Sequence, residues 1–583
     1  MSDVEDDFCI RPGPARDTRA PSSRKAQKLV AQVKRRAMKA GYLSRHRGPG
    51  GRRGTGTRGR GRRAALLSRR PSNARRVVIK ARVVRHKGAR YRAAPLARHI
   101  AYLEREGVTR DGRDAAMFNA RDDEADRDAF AERCEDDRHH FRFIVSPEDA
   151  VEMDDLRAFT RELMADMERD LDTRLDWVAV DHWNTDNPHV HVLVRGVAET
   201  GEDLVIDRDY IREGMRERAE SRVTLELGPR SAQEIDAQLL REVEAERWTS
   251  LDWKLQKLGQ EEILVDLRPD PSDADPALRQ MLVGRAMKLR RLGLAEEIAP
   301  GRWHFKSDME PTLRDLSVRG DIIKTMHRAM ARDGRPPDMT GFALHEKAPA
   351  ELVLGRLVER GLHDELKGTA YAVIDGADGR IHHLRFDDIA MTGDAQAGAV
   401  VELRSWDDQR GAQRFSLSTR SDLSIGEQVT ARGATWLDRQ LVAREPAATA
   451  SGFGAEIRAA MTARAEHLAS EGLARRQGQR WVFARDLINT LRDRELADAS
   501  DAIAERTGLA DRPSASGEYV NGVYRERVTL ASGRFAMIDD GLGFQLVPWR
   551  PALDQHLGNH VAGTMTPGGS VDWTFGRQRG LGL

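Results

Sequence analysis

The spacing of hydrophobic and polar positions changes along the chain, and each change predicts an element. Residues 77–84 (VVIKARVV) read as a strand. In residues 95–106 (PLARHIAYLERE), Leu96, Ile100 and Leu103 recur at helical spacing and predict a helix. A second helix is expected over 126–136. Residues 140–145 (HFRFIV) alternate and predict the next strand. Ser146-Pro147-Glu148-Asp149 then reads as a helix start, with Ser as the cap and Pro at the first helical position, for a helix reaching about Asp170. Residues 175–181 alternate and residues 190–194 are apolar throughout. The turn chemistry of Asn184-Thr185-Asp186-Asn187-Pro188 joins them into a hairpin. A polar helix is expected near 208–221. The order strand, helix, strand, helix, hairpin predicts an α+β unit built on an antiparallel sheet.

Beyond it the periods shift again. Residues 229–345 look mainly helical, and residues 353–442 and 519–549 look strand-rich. A hairpin is expected around residues 375–379. His382 and His383, adjacent in that hairpin, read as structural or surface residues. GRAMKLRRLGLAEEIAPGRWHF (residues 284–305) is echoed by TARAEHLASEGLARRQGQRWVF (residues 462–483). Trp303 and Trp481 lie 178 apart, as do Leu313 and Leu491. The echo suggests a repeated helix-turn-strand unit with the logic of a small winged helix. The expected division is a basic arm over 1–75, an α+β domain over 76–228 and a helical region over 229–348. A β-rich module over 349–445 follows, then the repeat plus a β-rich module over 446–583.

Charge sharpens this picture. The first 100 residues hold 29 Lys+Arg against 5 Asp+Glu, a net of +24. The whole chain is +2, so the remainder carries −22. Runs such as RRGTGTRGRGRR, with Arg52, Arg53, Arg62 and Arg63, cannot bury enough apolar surface to offset the entropy of ordering. They read as a disordered arm that binds phosphate backbones without reading sequence. Two cysteines exclude a disulfide framework and suit a reducing cytoplasm. No apolar run reaches membrane-spanning length, so no membrane insertion is expected.

The predicted hairpin carries the chemistry. His189 and His191, two apart in a strand, share a face, and His182 lies across the turn. Three converging imidazoles make a divalent-metal site with positions left for water or substrate, and the donor set alone also suits Zn²⁺ or Ni²⁺. Beside a basic arm, such a site points to phosphodiester chemistry. Water as nucleophile makes a hydrolase; tyrosine makes a covalent phosphotyrosine. Tyr42, Tyr91, Tyr102 and Tyr210 are the tyrosines available in this half. Asp181, Asp186 and Glu148 are near in sequence, and Asp186 in the turn is the first choice for orienting a histidine.

These motifs resemble those of the relaxases, the mobilisation nucleases of conjugative plasmids within the histidine-hydrophobic-histidine (HUH) endonucleases. HWNTDNPHVHVLVRG resembles their third motif, with His182, His189 and His191 as ligands. HIAYLEREG resembles the first motif, which implies Tyr102 as the attacking residue; Arg98, just before the motif, is a further candidate for DNA binding. HFRFIVSPEDA stands where the second belongs, implying that Ser146 holds DNA near the scissile phosphate. SGRFAMIDDGLGFQLVPWRP and GRQRGLGL resemble a long C-terminal extension found in one subgroup. The resemblance implies a Mg²⁺ or Mn²⁺ cofactor and a 5′-phosphotyrosyl intermediate. It also implies single-stranded origin-of-transfer DNA, accessory relaxosome proteins and a type IV secretion coupling protein as partners. A rolling-circle initiator or single-strand transposase, a metal-dependent hydrolase, and an origin-binding protein with a structural metal remain alternative readings. A nucleophile placed before the histidines favours the relaxase over the first of these.

Overall fold

The computed structural model describes residues 60–67, 73–86, 96, 99–100, 103–104, 109–113, 115–183, 187–261, 264–269, 275–332, 341–345, 349, 351–364, 366–408, 411, 413–443, 452–515, 517–567 and 569–574. They form two compact units, Met1–Leu316 and Ser317–Leu583.

The first unit opens with α1 (Arg62–Leu67) and β1 (Val77–Arg85), then α2 (Arg127–Arg133), β2 (His139–Pro147), α3 (Leu156–Leu171), β3 (Trp177–His182), β4 (His189–Arg195) and α4 (Met215–Leu227). The strands make one antiparallel sheet in the order β1-β2-β4-β3. Alternation gives each strand an apolar face: Val77 and Ile79, Phe141, Phe143 and Val145, Val190, Val192 and Val194, Trp177 and Ala179. These residues are buried with Phe159, Leu163 and Met167 of α3 and Ala219 and Val223 of α4 in one core. The outer edge of β3 is closed by Phe118, which exchanges two 2.8 Å backbone hydrogen bonds with Ala179.

Two expectations are corrected. Ser146 and Pro147 do not cap a helix. They end β2, paired with Val78 and Val77, where the missing N–H of proline costs little at a strand terminus. The helix starts nine residues later, where the Asp155 carboxylate accepts from Arg157 N and Ala158 N. Nor is the whole arm without structure. The segment 60–67 docks on this core, with Ala64 and Ala65 packed against it. The Arg60 guanidinium donates to the Leu171 and Asp172 carbonyls. The apolar run Ala64-Ala65-Leu66-Leu67 inside the basic stretch explains the local order. Residues 1–59 lie outside the described residues.

The rest of the first unit comprises α5 (Ala232–Glu244), α6 (Ser250–Glu261), β5 (Val265–Asp266), α7 (Pro276–Arg291), β6 (Ala295–Ala299) and β7 (Arg302–Phe305), followed by α8 (Met309–Arg332). The short sheet β5-β7-β6 packs with the helices around buried Trp303. The second unit holds a six-stranded sheet from β8 (Phe342–His345), β9 (Leu354–Asp364), β10 (Thr369–Gly376), β11 (Ile381–Phe386), β12 (Val400–Asp407) and β13 (Gln413–Ser421). His382 and His383 in β11 are both buried. Three helices, α9 (Ile425–Thr430), α10 (Trp436–Val442) and α11 (Gly452–Ser470), then lead into the hairpin β14 (Ala474–Gln477) and β15 (Arg480–Phe483). Residues 425–430 and 436–442, inside the stretch expected to be strand-rich, are therefore helical. The expected boundary after 445 falls between α10 and α11, which share a core through Leu437, Phe453 and Ile457. Last come α12 (Leu487–Thr507) and a sheet of β16 (Tyr519–Leu530), β17 (Gly533–Asp539), β18 (Phe544–Pro548), β19 (His560–Met565) and β20 (Val571–Trp573).

The echo seen in the sequence extends into the hydrogen bonding. In the first unit Thr249 caps α6 by bonding Asp252, and buried Arg285 of α7 clasps the same carboxylate at 2.7 and 2.8 Å. In the second unit Thr435, Asp438 and Arg464 of α11 repeat this arrangement at 2.8–2.9 Å. All four charged side chains are fully buried. The helices leading in begin with the same capping box, Ser231 with Glu234 and Ser424 with Glu427. The sheets correspond too: β13-β12-β9-β10-β11 matches β20-β19-β16-β17-β18. Each needs glycine at one crowded strand position. A Cβ on Gly355 would stand 2.2 Å from the Asp375 carbonyl oxygen, and one on Gly522 would stand 2.4 Å from that of Asp539.

Candidate active site

The hairpin β3–β4 brings the three histidines together because of its register. His182 pairs directly with His189, and His191 lies opposite Val180. All three side chains therefore leave the face of the sheet opposite the apolar core, and all three are buried. Their ring nitrogens lie within 4.8 Å of one another. His189 Nε2 and His191 Nε2 are 3.1 Å apart. The backbone fixes two of the rings. His189 Nδ1 is 2.9 Å from the Asn187 carbonyl, so it carries the proton and its Nε2 turns inward as a base. His182 Nε2 is 2.9 Å from the Leu103 carbonyl, which leaves Nδ1 as its ligand atom. Two inward-facing nitrogens at hydrogen-bond distance, with a third ring closing the group, fit a divalent cation.

Leu103 belongs to the helix expected from Pro95. Among its described residues, Leu96, Ile100 and Leu103 are buried, as the spacing predicts. Tyr102 and Arg98 lie outside the described residues, as do Tyr42, Tyr91, Arg52, Arg53 and Asp186. Arg62 is exposed on α1; Arg63 belongs to the same helix, but its side chain is outside the described set. Ser146 sits at the end of β2 on the histidine face, its hydroxyl 3.4 Å from the Pro188 carbonyl. It is thus beside the turn that carries His189.

Two other polar groups weighed in the sequence turn elsewhere. Asp181 projects into the opposite face, where Arg157 donates to it at 2.8 Å and Trp183 Nε1 at 2.8 Å. Tyr210 is fully buried in the core, and burial together with Asp170 raises its phenol far above the usual value. Neither serves the histidine pocket. Burial also pushes the Cys134 thiol up to about 12, so it is no nucleophile.

Sequence reasoning missed a second set on the same face. Alternation along β2 puts His140, Arg142, Ile144 and Ser146 in one row, beside Lys80 and Arg82 of β1. Lys80 and Arg82 are exposed. Arg142 Nε donates to His140 Nε2 at 3.1 Å, which fixes the His140 proton on Nδ1, facing His86 Nε2 at 2.8 Å. His86 in turn donates through Nδ1 to the Asp137 carbonyl. Burial, with Arg142 next to it, holds His140 down at about 2, so both rings are neutral near pH 7. The period-two pattern of HHFRFIVS contains this row, but only pairing with β1 identifies its partner.

The nuclease domain of MobA/VirD2-like relaxases matches residues 103–221, the stretch that carries the histidine hairpin. A family described as a protein of unknown function, DUF3363, matches residues 282–415 and 403–582, together more than half of the chain. No curated protein and no solved structure matches the chain. No helix among the described residues is long and apolar enough to cross a membrane. The chain therefore belongs to the DUF3363 family and carries a MobA/VirD2-like relaxase nuclease domain, of the HUH type, ahead of that C-terminal extension.

Proposed function

We propose that the protein nicks one strand at a plasmid origin of transfer by tyrosine transesterification and so starts conjugative mobilisation. The observation that carries this reading is the hydrogen bond between His182 Nε2 and the Leu103 carbonyl. Leu103 directly follows Tyr102 in the sequence, so the motif tyrosine is one residue along the chain from a group touching the histidine cluster.

A cation held by His182, His189 and His191, Mg²⁺ or Mn²⁺ by family habit and Zn²⁺ or Ni²⁺ by donor set, would offset charge building on the scissile phosphate. Tyr102 supplies the nucleophile. Its oxygen bonds to phosphorus, the bond to the 3′-oxygen breaks, and that oxygen leaves as a hydroxyl after taking a proton. The phosphate stays on the 5′ end, joined to tyrosine, and its energy is kept for rejoining. Tyrosine ionises near pH ~10 in water, so the phenol must lose its proton on the way. Asp186 orients a histidine ring. Ser146 holds DNA near the scissile phosphate, Arg98 binds DNA, and Arg52, Arg53, Arg62 and Arg63 hold its backbone. The exposed Lys80 and Arg82 on the histidine face support a DNA path across the sheet. The reaction belongs in the cytoplasm, with accessory relaxosome proteins and a type IV coupling protein as partners.

The test is a labelled single-stranded origin oligonucleotide with Mn²⁺, followed by denaturing electrophoresis. A covalent adduct is expected from the native chain and none from Tyr102→Phe. Cleavage without an adduct would mean hydrolysis. An adduct surviving Tyr102→Phe but lost in Tyr91→Phe would move the nucleophile.

A further inference from the structure

Two hairpins stand on equivalent frames, and their charges have diverged. In the first unit Ala295 pairs with Phe305, Glu296 with His304 and Glu297 with Trp303. In the second, Ala474 pairs with Phe483, Arg475 with Val482 and Arg476 with Trp481. Position for position, Glu296 and Glu297 are replaced by Arg475 and Arg476, while Arg302 corresponds to Arg480. The first hairpin is partly neutralised by its neighbours: Arg290 of α7 bonds Glu297 at 3.1 Å, and Arg302 bonds Asp266 of β5 at 3.2 Å. The basic end of α7 is similarly occupied, with Lys288 on Glu246 and Arg291 on Glu244.

The second hairpin is different. Arg475, Arg476, Arg480 and Arg485 are all exposed. None forms an ion pair among the described residues; Arg476 donates only to the Gly478 carbonyl, at 3.3 Å. The nearby acid Glu471 is already taken by Arg494 and His467, and Asp486 accepts from Asn489. Glu466 on α11 is exposed. Neighbouring residues in a strand face opposite ways, so Arg475 and Arg480 lie on one face of the ribbon and Arg476 on the other. A flat acidic protein surface meets one face of a ribbon. A duplex groove meets both, with a phosphate wall on either side, and it is wide enough for a two-stranded ribbon.

We infer that the hairpin 474–483 is a wing that binds the sugar-phosphate backbone of double-stranded DNA, and that the hairpin 295–305 has lost or never had this role. The site shares no residue with the histidine pocket and does not depend on the nicking reading. Its contacts are to phosphate, so they fix position on DNA without reading sequence.

The test uses the full chain and a fluorescent duplex of arbitrary sequence, with affinity measured by anisotropy over a range of salt. In the variant carrying Arg475→Glu, Arg476→Glu and Arg480→Glu, affinity should fall at least ~10-fold. The slope of log affinity against log salt should shrink by about 2–3, near 0.9 for each phosphate no longer neutralised. The same three positions changed to lysine should keep the native slope. Should the glutamate variant not fold, the glutamine triple variant gives the same readout. Cleavage of a single-stranded substrate should be unaltered in all of them. Unchanged duplex affinity and slope in the charge-reversed or glutamine variant overturns the proposal and leaves the arginines to an acidic protein surface. A loss seen on single strands but not on duplex overturns it equally.

Discussion

The histidine cluster and the two Arg–Asp pairs are both buried polar groups, yet they differ in how their atoms are satisfied. Arg285 uses every guanidinium nitrogen: Nε and one terminal nitrogen on Asp252, that terminal nitrogen also on the Arg247 carbonyl, and the other on the carbonyls of Glu242, Val243 and Ala245. Arg464 does the same with Asp438 and the carbonyls of Val429, Ala431 and Gly433. Such sites are closed, and nothing further can bind. In the hairpin, by contrast, nitrogens of the same kind converge, with His189 Nε2 turned towards His191 Nε2. Burial with every guanidinium nitrogen bonded closes a site, whereas ring nitrogens that face one another are the arrangement the proposed metal site needs.

Breaking one closed site should have the largest effect. Arg464→Met leaves the Asp438 carboxylate buried and uncompensated, and should lower stability by about 3–5 kcal/mol in urea unfolding. Adding Asp438→Leu should recover much of that loss; no recovery would mean that the pair is not a unit. A smaller effect is expected from acid. Burial lowers His383 to about 4 from an ordinary value near 6.5, so the unfolded chain takes up this proton first. His140 behaves alike, with its folded value at about 2. Stability should therefore be constant above pH ~6.5 and fall as pH drops towards 4. A His383→Gln variant that keeps the full acid slope between those values would assign the slope elsewhere.

His189→Ala sharpens the contrast from the other side. Its effect on unfolding without metal should stay within about 1 kcal/mol, because removing one of three crowded bases leaves no buried charge. Mn²⁺ affinity, read by calorimetry, should drop at least ~10-fold. A stability loss matching that of Arg464→Met would make the cluster structural. The smallest effect belongs to exposed pairs such as Lys324 with Asp321, where Lys324→Ala should change stability by less than about 0.5 kcal/mol.

The hairpin was legible in the sequence because its signals are local. A period of two places His189 and His191 on one face, and turn residues bring His182 back across. Ser146 misled because a cap and a strand end share the same residue types, and only pairing with Val78 distinguishes them. Asp155, the true cap, sits in an acidic run where one carboxylate looks like another. The repeat was visible through its Trp and Gly-Leu-Ala positions. Its buried clasp was not, although TSLD and TWLD both precede the arginine helix, because nothing in a sequence marks an Asp or Arg as fully enclosed.

The strand bearing His182 is outermost in its sheet, and the residue that seals its rim is Phe118. A chain lacking that segment would present bare amide and carbonyl groups next to the histidine cluster, open to annexation by any extended peptide. The short stretch before α2 thus covers the rim of the strand that carries His182.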